Sequence, residues 1–479
     1  MQNIGVIFGN RDFFPDHLVT EARKDVAAVF AELGINPVMV AESATKLGGI
    51  ETFADARRCA DLFRSGGEDI EGILVVLPNF GDEKGVADTI RLSGLNCPVL
   101  VQAYPDELTR LDPAARRDGF CGKISVCNNL RQYGIPFSLT SKHVADIRSD
   151  SFRRDMLHFL GVCRVVSRMR RVRLGAVGAR PSAFNTVRFS EKILERHGIS
   201  VATVDLSEIF AAVNKLGDGD AEVAAELERI NGYASTERIA GRRTAGQRTA
   251  GQQMATIAKL GVVLRDWTER NAVDALAFQC WTSIQENLGV NPCTIMSMLS
   301  EEMLPSACEV DITGALTMYA MQHAAGSPAG IVDWNNNYAD EEDKCVFFHC
   351  GNWPKSLMGG RAAMGTAPIL GTTVGEENTV GVLEGRAPAG PMTFGRLSTD
   401  DTAGIIRAYV GEGSFTDDPL DTFGSRAGVE VPRLQDLLHH ICSNGFEHHV
   451  VMTRSRTAGV LAEAFTKYLK WETYQHDPR

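Results

Sequence analysis

Apolar runs of strand length alternate with stretches of helical spacing through the first third of the chain. Residues 3–8 (NIGVIF) form a short apolar run closed by Gly9. Over residues 18–33, Val19, Ala22, Val26, Val29 and Phe30 recur on one helical face, and Gly34 stops the pattern. Residues 36–40, 73–77 (ILVVL) and 99–102 read as further strands. Continuous apolar strands separated by helices predict a parallel sheet covered on both faces.

The pattern restarts after residue 170. Residues 172–177 (VRLGAV) read as a strand, 186–197 as a helix, and 201–204 and 275–278 as strands. Between them, residues 218–264 are polar and helix-prone. RTAGQ occurs there twice in tandem, at 243–247 and 248–252. This is a local duplication in an exposed segment, too short for a repeat architecture. The arginine-rich stretch 153–173 alternates with Met156, Leu157, Leu160, Val162, Val165 and Val166, as expected of a helix with one apolar and one solvated basic face joining two domains. From Gly351 the texture changes. Glycine is about twice as frequent over 351–420 as in the whole chain, and β-prone runs at 379–383, 392–397 and 405–410 lie between turn signals. That predicts an antiparallel sheet or small barrel, with a helix at 460–467. The expected fold is therefore α/β: two doubly wound α/β domains, 1–170 and 171–354, followed by a β-rich domain, 355–479.

Composition narrows the function. A chain of 479 residues suggests about three domains. Lys plus Arg is 49 against Asp plus Glu 60, a net charge of −11. This excludes a general nucleic-acid binder or a protein that docks on anionic lipid. No apolar run is long enough to span a bilayer, and the first residues lack the pattern of a signal peptide. Eleven cysteines, an odd number without CxxC spacing, suit a reducing cytoplasm. Gly122-Lys123 is followed by Ile124 where a phosphate loop needs Ser or Thr, Gly175 and Gly178 do not complete GxGxxG, and no GxSxG elbow occurs. Nucleotide, hydride-transfer and serine-hydrolase chemistries thus lack support.

Residues 275–354 carry the candidate chemistry. Glu309 sits before a helix expected near Thr313, Asp333 ends a strand over 329–332, and His349 ends a strand over 345–348. At the C-terminal ends of parallel strands these groups would converge on one sheet edge, the usual ligand side of α/β sheets. Carboxylates with one imidazole suit Mn²⁺, Co²⁺ or Mg²⁺. The acidic run 340–343 reads as a solvated loop. His448 and His449 open an apolar run near the C-terminus; in a strand they point to opposite faces, so only one reaches a common metal. His439 and His440 read as helix surface.

Together, the CExDxxGALTM segment (Cys308 to Met318), the strand ending in Asp333, HCG (His349 to Gly351) and HHVV (His448 to Val451) resemble the L-fucose isomerase-like sugar isomerases. GNRDFFP (Gly9 to Pro15) and GPMT (Gly390 to Thr393) are similar to that family's first turn and its C-terminal GPxT turn. The resemblance implies two α/β domains and a β-rich domain, and an aldose–ketose isomerase dependent on a divalent metal, usually Mn²⁺. It implies Glu309 and Asp333 as metal ligands and proton handlers, with one of His448 or His449, preferably His449, completing the site. His349 is similar to a further ligand of the related L-arabinose isomerases. Trp281 and Gln285 are similar to substrate-facing positions. Asn10 and Arg11 would reach a neighbour's site in a homo-oligomer, a trimer or hexamer with sites at subunit interfaces. The chain is shorter than the fucose isomerases. Some relatives act on anionic sugars such as sulfoquinovose, whose sulfonate Arg11, Lys123 or Arg131 would pair with. A non-catalytic sugar-binding protein and a metal-dependent epimerase or lyase are the alternatives.

Overall fold

The computed structural model describes residues 1–240, 249–360 and 362–477. The first RTAGQ copy and the start of the second lie outside these residues. Thr249 and Gln252 of the second copy form a capping box that opens the helix Ala250–Arg270. The chain divides into two compact units: Met1–Ser167 with Glu463–Lys470, and Arg168–Ala462 with Trp471–Arg479.

The first unit is built on strands β1 (Gln2–Phe8), β2 (Ile35–Val38), β3 (Ile70–Leu77), β4 (Val99–Ala103) and β5 (Ser138–Leu139). They form one parallel sheet in the order β2-β1-β3-β4-β5. The continuous apolar runs have the expected cause. Ile4, Val6 and Phe8 join a core with Val26 and Phe30 of the helix His17–Leu33 and with Phe152 and Phe159 of the helix Asp150–Met169. Ile7, Ile73 and Val75 face the opposite layer, with Phe63 of the helix Phe53–Gly66 and Val126 of the helix Gly119–Gln132. Both faces of the sheet are thus buried. Gly5 is required by close approach, because a Cβ there would stand 2.9 Å from the Phe63 ring.

Residues 463–470 close this unit. Glu463 accepts hydrogen bonds from Ser138 Oγ (2.6 Å) and Lys467 Nζ (2.6 Å) and pairs with His158 Nε2 (2.8 Å). Tyr468 donates to the Val99 carbonyl (3.2 Å) and lies 2.7 Å from Ser138 Oγ.

The second unit starts with β6 (Arg173–Val177), β7 (Ser200–Val204), β8 (Ala275–Phe278) and β9 (Ser306–Cys308), a parallel sheet in the order β7-β6-β8-β9. The helix expected over 186–197 is shorter: a 3₁₀ turn at Asn185–Val187, then Glu191–Arg196. There follow β10 (Gly330–Tyr338), β11 (Glu341–His349), β12 (Ala363–Gly365), β13 (Val382–Arg386), β14 (Gly390–Asp400), β15 (Ile405–Thr416), β16 (Ser425–Glu430), β17 (His449–Thr453) and β18 (Glu472–Gln475). These nine strands make one mixed sheet, and an added β15–β16 pairing closes β16-β11-β10-β17-β14-β15 into a barrel.

Two expectations are corrected here. β10 and β11 do not belong to the parallel sheet. They are an antiparallel hairpin within the barrel sheet, and β10 runs on past Asp333. The acidic run is not a loop, because Glu341 to Asp343 begin β11, with their side chains exposed. No described helix is long and apolar enough to cross a membrane.

Candidate functional site

In the second unit, Glu309 follows β9 directly. Glu309 and Val310 both adopt left-handed backbone angles (φ 62° and 56°), costly for side-chain-bearing residues and typical of constrained sites. This turn presents the Glu309 carboxylate and sets Asp311 at the N-cap of the helix Ile312–Ala325. The Asp311 carboxylate there accepts from Gly314 N at 2.8 Å. The cap of this helix is therefore Asp311, while Glu309 is free for other contacts.

Asp333 on β10 stands in register with His449 on β17. His449 is fully buried. Its Nδ1 lies 2.7 Å from Asp311 Oδ2, and its Nε2 lies 3.3 Å from Glu309 Oε2 and 3.5 Å from Asp333 Oδ1. Donation from Nδ1 to Asp311 leaves the Nε2 lone pair facing the two carboxylates in the neutral ring. His349 ends β11 and is buried. Its Nδ1 accepts from Cys350 N at 3.0 Å, which puts the proton of the neutral ring on Nε2.

His448 precedes β17, so the alternation of a strand does not apply to it. Its Nε2 lies 3.5 Å from Asp333 Oδ1, so both adjacent histidines border the same carboxylate. That corrects the expectation that only one of them reaches a shared centre.

Behind these groups lies a buried ionic chain. Arg396 donates in a fork to Asp311, from Nη1 to Oδ2 (2.6 Å) and from Nη2 to Oδ1 (2.8 Å), and also to Thr313 Oγ1 (2.8 Å). Glu447 Oε2 stands 3.3 Å from Arg396 Nε, and Ser398 donates to Glu447 Oε1 at 2.8 Å. Burial favours the neutral acid at Asp311, but Arg396 and His449 more than offset it and hold Asp311 well below the usual carboxylate range. Burial opposes charge on His449, yet its contacts with Asp311 and Glu309 push its pKa up to about 10. Burial likewise raises Glu309, and His449, His349 and Trp281 together bring it below its ordinary value. His349 and His448 are both lowered, chiefly by burial.

The donor set fits a divalent cation. Ligand atoms of Glu309, His349 and His449 lie within 4.8 Å of one another, as do those of Asp333, His448 and His449. Metal–ligand bonds of about 2.0–2.2 Å place neighbouring ligands roughly 3–4 Å apart. Glu309 Oε2 and His449 Nε2 are buried and have no hydrogen-bond partner. Such atoms are rare unless a ligand satisfies them.

Trp281 Nε1 donates to Glu309 Oε1 at 3.1 Å. Phe184 meets Trp281 edge-on at 5.2 Å and His448 at 5.5 Å, which gives the centre an aromatic side. Gln285 is buried. Its Nε2 donates to the Cys280 carbonyl, while its Oε1 has no partner. Asn10 and Arg11 belong to the first unit. Asn10 is fully buried and donates to Asp16 (2.9 Å) and Glu51. Arg11 pairs with Glu83, donates to the Gly81 carbonyl and lies over the Phe80 ring. Lys123 is buried inside the same unit, donating to Thr140 Oγ1 (2.6 Å) and the His143 carbonyl (2.8 Å), so it is not open to a sulfonate. Arg131 is exposed.

Sequence reasoning missed Asp311, Arg396, Glu447 and Phe184. Asp311 had a readable signal: Asp-x-x-Gly ahead of an apolar run is an N-cap pattern. Arg396 and Glu447 lie 85 and 136 positions beyond Asp311, and nothing local announces them.

Much of the chain matches known proteins. A family model for the fucose/sulfoquinovose isomerase N-terminal domain matches residues 5–170, and one for the L-fucose isomerase C-terminal domain matches residues 347–476. The chain is 26% identical over 342 residues to the sulfoquinovose isomerases of Priestia aryabhattai and Priestia megaterium, covering 70% of this chain and 71% of each relative. It is 25% identical over 298 residues to that of Alkalicoccus urumqiensis, covering 61% and 62%.

Proposed function

We propose, from the premise that the chain belongs to the L-fucose isomerase-like family and is an aldose–ketose isomerase, that it interconverts a sulfonated aldose, sulfoquinovose, and its ketose through a cis-enediol. The observation that carries the reading is the buried, unsatisfied pair Glu309 Oε2 and His449 Nε2, held 3.3 Å apart beside Asp333. Glu309, Asp333 and His449 would hold the metal, Mn²⁺ by preference, with His449 Nε2 next to both carboxylates; His349 groups with Glu309 and His449, and His448 with Asp333 and His449. Such a cation supplies polarisation of the sugar carbonyl and stabilises charge on the enediol oxygens.

The protein side chains do the rest. The C2 proton of an aldose is weakly acidic, so a carboxylate within reach must take it and return it at C1. A second carboxylate moves the proton between the two oxygens. Glu309 and Asp333 supply these two groups. Glu309 is oriented by the Trp281 indole, and Asp333 is flanked by His448. His349, with its proton on Nε2, serves as a hydrogen-bond donor towards the centre. Phe184 and Trp281 offer apolar surface to one sugar face. Exposed Phe13, Phe120 and Ile124 on the first unit support a homo-oligomer, a trimer or hexamer, in which Arg11 approaches a neighbouring site, while the fully buried Asn10 shapes the turn that carries it. Eleven cysteines without a disulfide among the described residues support a cytoplasmic location.

The test is proton NMR in D₂O on Mn²⁺-loaded protein with sulfoquinovose, L-fucose, D-arabinose and L-arabinose. The expected result is a ketose from sulfoquinovose, lost on EDTA treatment, with deuterium beside the new carbonyl. Turnover of another aldose alone would overturn the substrate, and an EDTA-resistant reaction would overturn the metal.

A further inference from the structure

A cavity of about 890 Å³ opens in the second unit among the segment 231–238, the turn after Pro354 and the strands β12, β13 and β16. None of Glu309, Asp333, His349, His448 or His449 lines it. Among the described residues, four cations do, Arg238, Lys355, Arg386 and Arg426, against one carboxylate, Glu384. In a chain of net charge −11 this is a local reversal of sign.

The arrangement of the arginines is unusual. Arg386 on β13 and Arg426 on β16 are register partners, so two like charges sit side by side on neighbouring strands. Such pairs are ordinarily destabilising. Arg386 donates to the carbonyls of Thr416 and Asp418, and Arg426 to that of Gly424. Neither guanidinium has a carboxylate within ion-pair distance among the described residues, and the Nε of each is buried without an acceptor. Glu384 is engaged by Arg238. Lys355 Nζ stands 5.6 Å over the Tyr233 ring. Burial, with the charges of Arg386 and Arg238, disfavours the charged form of Arg426, and the more distant carboxylates of Glu384 and Asp421 offset this only in part. A bound anion would relieve all three unfavourable features: the like-charge pair, the unsatisfied donors and the desolvated cation.

We propose that this cavity binds a polyhydroxylated small molecule bearing a tetrahedral oxyanion, a sulfonate or phosphate, at a place separate from the carboxylate–imidazole centre. A planar carboxylate offers two oxygens in one plane, whereas a three-oxygen group accepts from two guanidinium forks at once. The cavity is far larger than a bare oxyanion and lies within the range of small-molecule sites, so the ligand has an organic body. The proposal does not depend on the reaction assigned to the other site.

The test is calorimetry on the full-length, Mn²⁺-loaded protein with glucose 6-phosphate, the methyl glycoside of sulfoquinovose, which has no carbonyl for the isomerase centre to act on, and unmodified glucose in parallel. At least one charged sugar should bind saturably where glucose does not. Arg426→Gln should weaken that binding at least tenfold and Lys355→Gln about threefold, with isomerase turnover unchanged in both. Binding of the phosphate alone or the sulfonate alone names the source of the oxyanion. No binding of either charged sugar, or equal affinity in wild type and both variants, overturns the proposal. If Arg426→Gln does not fold, Lys355→Gln decides, since its rim ammonium makes no described hydrogen bond.

Discussion

Asp311, buried in the second unit, and Glu463, half-buried in the first, are both carboxylates kept ionised by cations. Asp311 has Arg396 and His449, and Glu463 has Lys467 and His158. In both, burial alone favours the neutral acid and the partners reverse it. Yet the two assemblies differ where it matters. Around Glu463 each oxygen meets a hydrogen-bond partner within the cluster. Around Asp311 the chain of bonds leaves unsatisfied atoms at both ends: Arg396 Nε and Glu447 Oε2 face each other as an ion pair behind it, and Glu309 Oε2 and His449 Nε2 face Asp333 at the other end. A displaced pKa thus marks a charged cluster, and only the end facing Asp333 marks a place for a ligand.

Four measurements would break or sharpen this contrast. The largest effect belongs to the end facing Asp333. Glu309→Gln should lower kcat by about 10³-fold or more with little change in thermal midpoint, since a proton-transfer group and a metal ligand go together. A variant with near-normal turnover would remove Glu309 from the chemistry.

Asp311→Asn should change both function and stability. Loss of the carboxylate that orients His449 should weaken metal affinity or activity about 10–100-fold. Arg396 would be left buried with only Glu447, at a cost of about 3–5 kcal/mol seen in denaturant melts. Loss of stability with metal affinity intact would make Asp311 purely structural.

Glu463→Gln should affect stability alone. Its pKa is brought to about 2 from an ordinary 4.5, so the folded state binds the proton less tightly than the unfolded chain. The stabilisation is fully present above about pH 4.5 and is lost as pH falls through about 2. It amounts to at most about 3 kcal/mol. The variant should therefore melt earlier at neutral pH, and its stability should depend less on pH across that acidic window. Turnover per folded molecule should not change. A drop in turnover would erase the contrast drawn between the two clusters.

The smallest effect is Trp281→Phe. It removes one hydrogen bond to Glu309, worth about 1.5–3 kcal/mol when the acceptor is charged, and turnover should fall roughly ten- to a hundredfold at most. An unchanged rate would show that Glu309 is held without the indole.

Much of the frame was legible in the residues. The first unit's parallel sheet follows from uninterrupted runs such as ILVVL, and Glu309, Asp333 and His449 stand together as the family resemblance implies. The strands carrying Asp333 and His349 were misread for a physical reason. An uninterrupted apolar run reports that both faces are buried, and parallel sheets are the common case. Here Val332 and Phe347 point into the barrel core, while the helix Ile312–Ala325 packs over the outside of β10 and β17. Both faces are buried although the strands run antiparallel. The buried chain from Asp311 to Glu447 was not legible because its members meet only through tertiary contacts. Each reads by itself as an ordinary charged residue.

The return of residues 463–470 to the first unit bears on how the chain is made. Ser138 waits 325 positions for Glu463, and Val99 waits 369 positions for Tyr468. At about 5–20 residues per second on a ribosome, that is roughly twenty seconds to a minute. During that time β5 and the start of β4 have emerged, but the groups that tie them down have not been synthesised. Newborn chains therefore hold these strands without their C-terminal tethers for most of translation, the interval in which a holding chaperone has something to grip.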